Sequence, residues 1–161
     1  MVKISTQYKG SWVSKFHDVE ITYNDNVWSV IAESEDEDEL MLGLFDKKDG
    51  SSFMFNLENV EEPGELSNDD IEGALFADIY NKDNNVVVNR KFEAFLGGMI
   101  FNFVEYTFNN KKFGKQKLLH AFSRFTHHVP LFVFSWPIDM PLQGQSYLPL
   151  KHQAFIEGLK L

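Results

Sequence analysis

The stretch Val129-Pro130-Leu131-Phe132-Val133-Phe134-Ser135-Trp136-Pro137 decides the fold. Its apolar residues Val129, Leu131, Phe132, Val133 and Phe134 stand at successive positions, not alternate ones. In an extended chain neighbouring side chains point to opposite faces, so this strand must be buried on both. Such a strand lies in the middle of a sheet that is covered on each side. Trp136-Pro137 ends it.

Working back along the chain, the neighbouring segments have strand character. Lys117 to His128 and the Phe- and Tyr-rich run Met99 to Phe108 read as strands, with the basic loop Asn109 to Lys115 between them. Val86, Val88, Arg90 and Phe92 alternate with Val87, Asn89, Lys91 and Glu93, and Gly97-Gly98 permits a sharp turn. These segments predict an antiparallel meander. Further upstream, Leu40 to Phe45 and the alternating Phe53, Phe55 and Leu57 read as a hairpin turning at Asp46 to Gly50. Val19, Ile21 and Tyr23 alternate in the same way before the turn residues Asn24-Asp25-Asn26.

Two segments read as helices. Ser67-Asn68-Asp69-Asp70 offers a capping hydroxyl and acids for the positive end of a helix dipole. Ile71, Leu75, Phe76, Ile79 and Tyr80 then share one helical face. After an irregular connection containing Pro137, Pro141, Gly144 and Pro149, the residues Leu150, Ala154, Phe155 and Leu159 mark a closing helix. The expectation is one α+β domain over residues 1–161: an antiparallel meander covered by helices, an αβα sandwich. The order of features from "VEITYNDNVW" (Val19–Trp28) through "DKKDG" (Asp46–Gly50) to "LFVFSWP" (Leu131–Pro137) and "FIEGLKL" (Phe155–Leu161) resembles the PsbP-like family. The resemblance is one of layout and transfers no site residue. It implies a sheet sandwiched by helices that serves as a binding module.

Composition narrows the chemistry. The 161 residues include 16 Phe and no Cys, which excludes disulfides, thiolate metal sites and thiol catalysis. No apolar run is long enough for a membrane helix, and Met1–Gly10 has no hydrophobic stretch of a signal peptide, so a cytoplasmic protein is expected. Net charge is −9 but unevenly distributed: residues 1–75 hold 18 acids and 5 bases, residues 76–161 hold 6 acids and 10 bases. That balance argues against binding nucleic acid, which needs cations to neutralise phosphate. The lysine-rich tip Lys111, Lys112, Lys115 and Lys117 reads as a blunted hairpin, not a nucleic-acid grip.

No nucleophile-elbow, phosphate-loop, dinucleotide or zinc-protease motif is present. The expectation is therefore no enzyme, no cofactor and no metal site. On an ideal strand His120, Arg124 and His128 share a face, but the two histidines stand about 27 Å apart at 3.4 Å per residue and cannot meet. His17 and His152 suggest nothing by spacing. Six acids fill seven positions at Glu33, Glu35, Asp36, Glu37, Asp38 and Glu39, read as a solvated loop and as the partner-binding surface. The leading expectation is a non-catalytic inhibitor or immunity-type module that neutralises a basic protein such as a nuclease toxin. Two alternatives stand beside it: a secretion chaperone or adaptor that grips an apolar client segment, and a ligand-binding protein or enzyme with a sheet–helix pocket around His120 and Arg124. An exposed apolar groove favours the chaperone; a deep polar pocket holding both residues favours the ligand.

Overall fold

A computed structural model describes residues 2–4, 10–59, 66–124, 128–142 and 147–156. The described chain forms, in order, β1 (Val2–Ile4), β2 (Gly10–Val13), β3 (Val19–Tyr23), β4 (Ser29–Glu35), β5 (Glu39–Phe45), β6 (Ser52–Asn59), α1 (Asn68–Lys82), β7 (Val87–Leu96), β8 (Met99–Asn110), β9 (Gly114–Phe122), β10 (His128–Pro137) and α2 (Leu150–Ile156). Seven strands make one antiparallel sheet in the order β4-β5-β6-β10-β9-β8-β7, and β1, β3 and β2 make a small second sheet. The protein is α+β with sheet predominating.

Strand β10 occupies the centre of the large sheet, as its doubly apolar sequence requires. It joins two meanders, pairing with β6 from His128 to Ser135 and with β9 from Leu131 to Pro137. Its residues Phe132, Phe134 and Trp136 point to one face, and Leu131, Val133 and Ser135 to the other. All six are buried.

The face of Phe132 carries the main core. Leu40, Leu42 and Leu44 of β5, Phe53 and Phe55 of β6, and Phe101 and Phe103 of β8 share it. Phe132 lies 5.0 Å from Phe55 and 5.7 Å from Phe101 between ring centroids, within the range of favourable aromatic pairs. Val19 and Ile21 of β3 and Phe155 of α2 close this core from above, with Phe155 stacked on Phe53 at 4.1 Å. One cover thus departs from the expected sandwich. This face is closed by the small sheet together with a 7-residue helix, because the alternating Val19-Glu20-Ile21 pattern suits a strand with one buried side.

The opposite face carries α1. Ser67 caps it as the sequence predicts: its Oγ accepts from the Asp70 N–H at 3.0 Å, and the Asp70 carboxylate accepts from the Ser67 N–H at 3.0 Å. Of the predicted apolar stripe only Ile79 is fully buried; Ile71, Leu75 and Phe76 are half-buried and Tyr80 is exposed. The helix packs over Val104, Tyr106, Phe122, Leu131 and Val133, and so over β8, β9 and β10. Among the described residues no helix covers the same face of β4 and β5, and α1 reaches only the side of β6.

Both edge strands of the large sheet are irregular. The register shifts at Ile31 in β4 and at Asn89 in β7. Such bulges twist an edge away from further strand pairing. The lysine-rich tip of the β8–β9 hairpin is not an edge. Phe113 packs on Phe45 at 5.8 Å, and Gln116 Nε2 donates to the carbonyls of Asp49 and Gly50 at 3.4 and 3.3 Å.

Replacing Phe132 by Ala is expected to cost about 3–5 kcal/mol in urea unfolding, since it opens a cavity against rings on β6 and β8. Phe95→Ala, at an exposed site on β7, is expected to change stability by roughly 0.5 kcal/mol or less.

Candidate functional site

The acidic run is not a loop. Glu33 and Glu35 lie on β4, Asp36 to Asp38 form the turn, and Glu39 opens β5. The reason is that Val30, Ala32 and Leu40 to Leu44 supply strand pairing on both sides of a tight acidic turn. The carboxylates of β4 hold the small sheet. Trp12 Nε1 donates to Glu33 Oε2 at 2.7 Å, the Lys15 N–H donates to Glu35 Oε1 at 2.7 Å, and Ser14 Oγ also donates to Glu35. Desolvation is the largest single effect and raises the Glu35 pKa, but hydrogen bonds from Ser14 and the Lys15 and Phe16 amides together outweigh it and hold the carboxyl below its usual range. Asp36 Oδ1 accepts from the N–H groups of Asp38 and Glu39, each at 2.8 Å, which lowers its pKa. Glu37, Asp38 and Glu39 are exposed at the hairpin end. The six predicted residues therefore divide between internal anchoring and an exposed tip.

A concavity of larger volume lies elsewhere, between α1 and the part of the sheet beside it. Its larger lobe has a volume of about 470 Å³ and reaches from Ile31, Ala32 and Gly43 across Met54 and Val133 to Ile79, Lys82, Gln116 and His120. A smaller lobe of about 240 Å³ is lined by Leu66, Ile71, Ala74, Phe122 and Val129. Asn56, Glu58, Leu75, Asp78 and Leu131 line both, so the two form one continuous groove.

Register explains its chemistry. Reading across the helix-bearing face, Ala32, Gly43, Met54, Val133, His120 and Val104 stand side by side on successive strands. A row farther along runs Ser34, Met41, Asn56, Leu131 and Phe122, and beyond it Glu39 faces Glu58 directly. The floor is thus apolar and the far rim acidic. Asp70 and Asp78 of α1 stand across from Glu58. Among the described residues no Lys, Arg or His lines this smaller lobe. Two like charges placed opposite each other on a sheet are unfavourable, which makes the Glu39–Glu58 pair costly in the absence of a counter-charge.

The histidines are apart, but not as the single-strand reading of Lys117 to His128 has it: β9 ends at Phe122 and His128 lies on β10, where alternation puts it on the face opposite Val133 and hence opposite His120. His120 stands opposite Val133, while His128 begins β10 five residues earlier, about 17 Å along the strand at 3.4 Å per residue. His120 is in the groove and is 4% exposed. Its ring meets Tyr106 edge-on at 5.2 Å, and its Nδ1 has no hydrogen-bond partner. Burial, with Lys82 nearby, pushes its pKa down to about 4. Arg124 does not join it: Arg124 Nη1 donates to the Leu66 carbonyl. The predicted His120–Arg124 pocket is therefore half present.

His152 carries more structure than its isolated place in the sequence suggests. It is fully buried among Trp28, Phe134 and Trp136, and its Nε2 lies 3.1 Å from the Ser52 carbonyl and 2.8 Å from that of Ser135. It ties α2 to β6 and β10. Next to it, Lys151 Nζ bonds Asp46 and Asp49, each at 2.7 Å. Only the tertiary fold brings these residues together, so no spacing rule reveals them. Burial, and secondarily Lys151, push the His152 pKa down to about 4.

Among the described residues no group of three or more acidic or histidine side chains is arranged to hold a metal ion. No described helix is long and apolar enough to cross a membrane. Comparison of the chain with protein-family models and with curated proteins finds no match.

A histidine with a depressed folded-state pKa gives stability that is full above its unfolded value near 6.5 and is lost as pH falls toward 4, because the unfolded chain takes up the proton first. His120 and His152 both act in this window. Urea unfolding is expected to weaken by about 2–3 kcal/mol per histidine between pH 7 and pH 4. His120→Phe is expected to flatten part of that slope; an unchanged slope would show that His120 is not buried neutral.

Proposed function

We propose that this protein is a non-catalytic binding module that seats a basic, partly apolar segment of another protein in the groove beside α1. The observation carrying this reading is the combination of a mostly apolar floor with a rim on which, among the described residues, Glu58, Asp70 and Asp78 line the smaller lobe and no base does. Apolar side chains of a segment would displace water from Met54, Leu75, Leu131 and Val129, and its cations would meet the rim. The cross-strand pair Glu39–Glu58 makes the acidic hairpin end continuous with the rim. Glu37, Asp38 and Glu39 then act mainly by drawing a basic partner in from solution.

This keeps the acidic module for a basic partner, such as a toxin or effector, and moves the contact from the acidic run into the groove. The chaperone alternative shares the apolar floor. The resemblance to PsbP-like domains implies the same kind of use. An enzyme gains less support, since His120 has neither a positioned nucleophile nor Arg124 beside it.

The test is fluorescence polarisation with labelled decapeptides of alternating Lys and Leu, Glu and Leu, or Lys and Ser. Only the Lys–Leu peptide is expected to bind, and less tightly as salt rises. Neutralising the rim with Glu58→Gln and Asp78→Asn is expected to weaken it about fivefold, roughly 1 kcal/mol. Changing Glu37 and Asp38 to their amides is expected to slow association with little effect on dissociation. Equal binding of the Glu–Leu peptide, or indifference to the rim changes, would refute the reading.

A further inference from the structure

The groove's inner end contains polar groups that the fold itself leaves unused. His120 Nδ1 and Gln116 Oε1 are both buried without a hydrogen-bond partner, and both residues line the larger lobe. Leaving such a group unsatisfied is unfavourable, and each one in a native protein calls for a physical explanation. The orientation of Gln116 follows from its other end. Its Nε2 donates to the Asp49 and Gly50 carbonyls, which turns Oε1 away from them. His120 is neutral at pH 7, so its ring offers one N–H and one lone pair.

The two residues lie on the same face of β9, four positions apart, or about 14 Å along the strand. A single small polar group cannot meet both, whereas about four residues of extended polypeptide span the distance. On the adjacent strand, opposite Leu118, the Ser135 hydroxyl is engaged with Ser52 at 2.5 Å, which leaves His120 and Gln116 as the open partners on this wall. A charged group is disfavoured there: the site is buried, and Lys82 stands close enough to depress the His120 pKa, which opposes a cation.

We infer that the inner end of the groove is a subsite for neutral amide groups of an extended polypeptide, received by His120 at one point and by Gln116 about four residues away. This deepens the reading of the groove as the seat of a polypeptide segment and rests on it. The acidic rim selects for basic charge, and the inner wall reads the uncharged groups between the cations.

The experiment uses isotope-labelled full-length protein titrated with N-methylacetamide, a single peptide unit, and separately with acetate and with methylammonium. The His120 ring nitrogens and the Gln116 side-chain amide are followed by NMR. Saturable shifts at both residues with N-methylacetamide, and none with either ion, are expected. Shifts with acetate or methylammonium in place of the amide, or no shift at either residue, overturn the inference. In the decapeptide assay His120→Phe, of similar volume, is expected to weaken the Lys–Leu peptide about fivefold without altering its salt dependence. The ring shifts in the unaltered protein keep the inference testable should that variant fold poorly. Decapeptide binding with no response at His120 overturns the subsite and leaves the groove reading intact. A saturable amide response without decapeptide binding keeps the subsite and removes the basic-segment reading.

Discussion

The structure depends on one strand having no exposed side. β10 donates and accepts main-chain hydrogen bonds on both edges, to β6 and β9, and presents Phe132 and Phe134 to one layer and Leu131 and Val133 to the other. Without it the molecule is two separate meanders, β4-β5-β6 and β7-β8-β9, each with a partly covered core. The aromatic contacts of Phe132 with Phe55 and Phe101 cross this junction and bind the halves together. His152 reinforces it, since its ring reaches the carbonyls of both β6 and β10.

The groove follows from a mismatch of widths. Seven strands at about 4.8 Å spacing span roughly 29 Å, whereas one helix with its side chains is about 10–12 Å across. The small sheet and α2 together extend over the Phe132 face, but among the described elements α1 alone meets the other. It lies over β8 to β10 and leaves β4, β5 and part of β6 open. That open portion is built from small and mixed residues, Ala32, Ser34, Gly43, Ser52 and Asn56, with Met54 and Met41 between them. A sheet face never meant to meet another layer would be more uniformly charged, and one meant to be covered internally would be more apolar. The intermediate character suits a surface that is covered part of the time.

Much of the fold is legible in the sequence. The doubly apolar run at Leu131–Phe134 places β10 centrally, Ser67 marks the start of α1, alternation identifies β3, β6 and β7, and Phe- and Tyr-rich composition identifies β8, because each of these signals is local. The acidic run misleads because charge density reads as solvation. At Glu33 and Glu35 the carboxylates instead accept hydrogen bonds from Trp12, Ser14 and Lys15, some 20 residues away in sequence. Strands β1 and β2 of the cover are invisible for a different reason, as strands of three or four residues carry little periodic signal. Of the candidate site, His120 is identifiable from sequence as a strand histidine. Its association with Asp78, Glu58 and Gln116 depends on strand order and on where α1 comes to rest, and no single-chain spacing encodes either.

The central position of β10 also bears on how the chain reaches its final state. Both meanders precede β10 in chain order, so during synthesis each can form while the strand that joins them has yet to emerge. Until it arrives, β6 and β9 each present an unpaired inner edge, rich in Phe53, Phe55, Leu119 and Phe122, and neither inner edge has the bulge that protects β4 and β7 in the finished sheet. The nascent protein is therefore most prone to association with other chains in the interval before residues 128–137 insert, when its unprotected edges are the ones destined for its own interior.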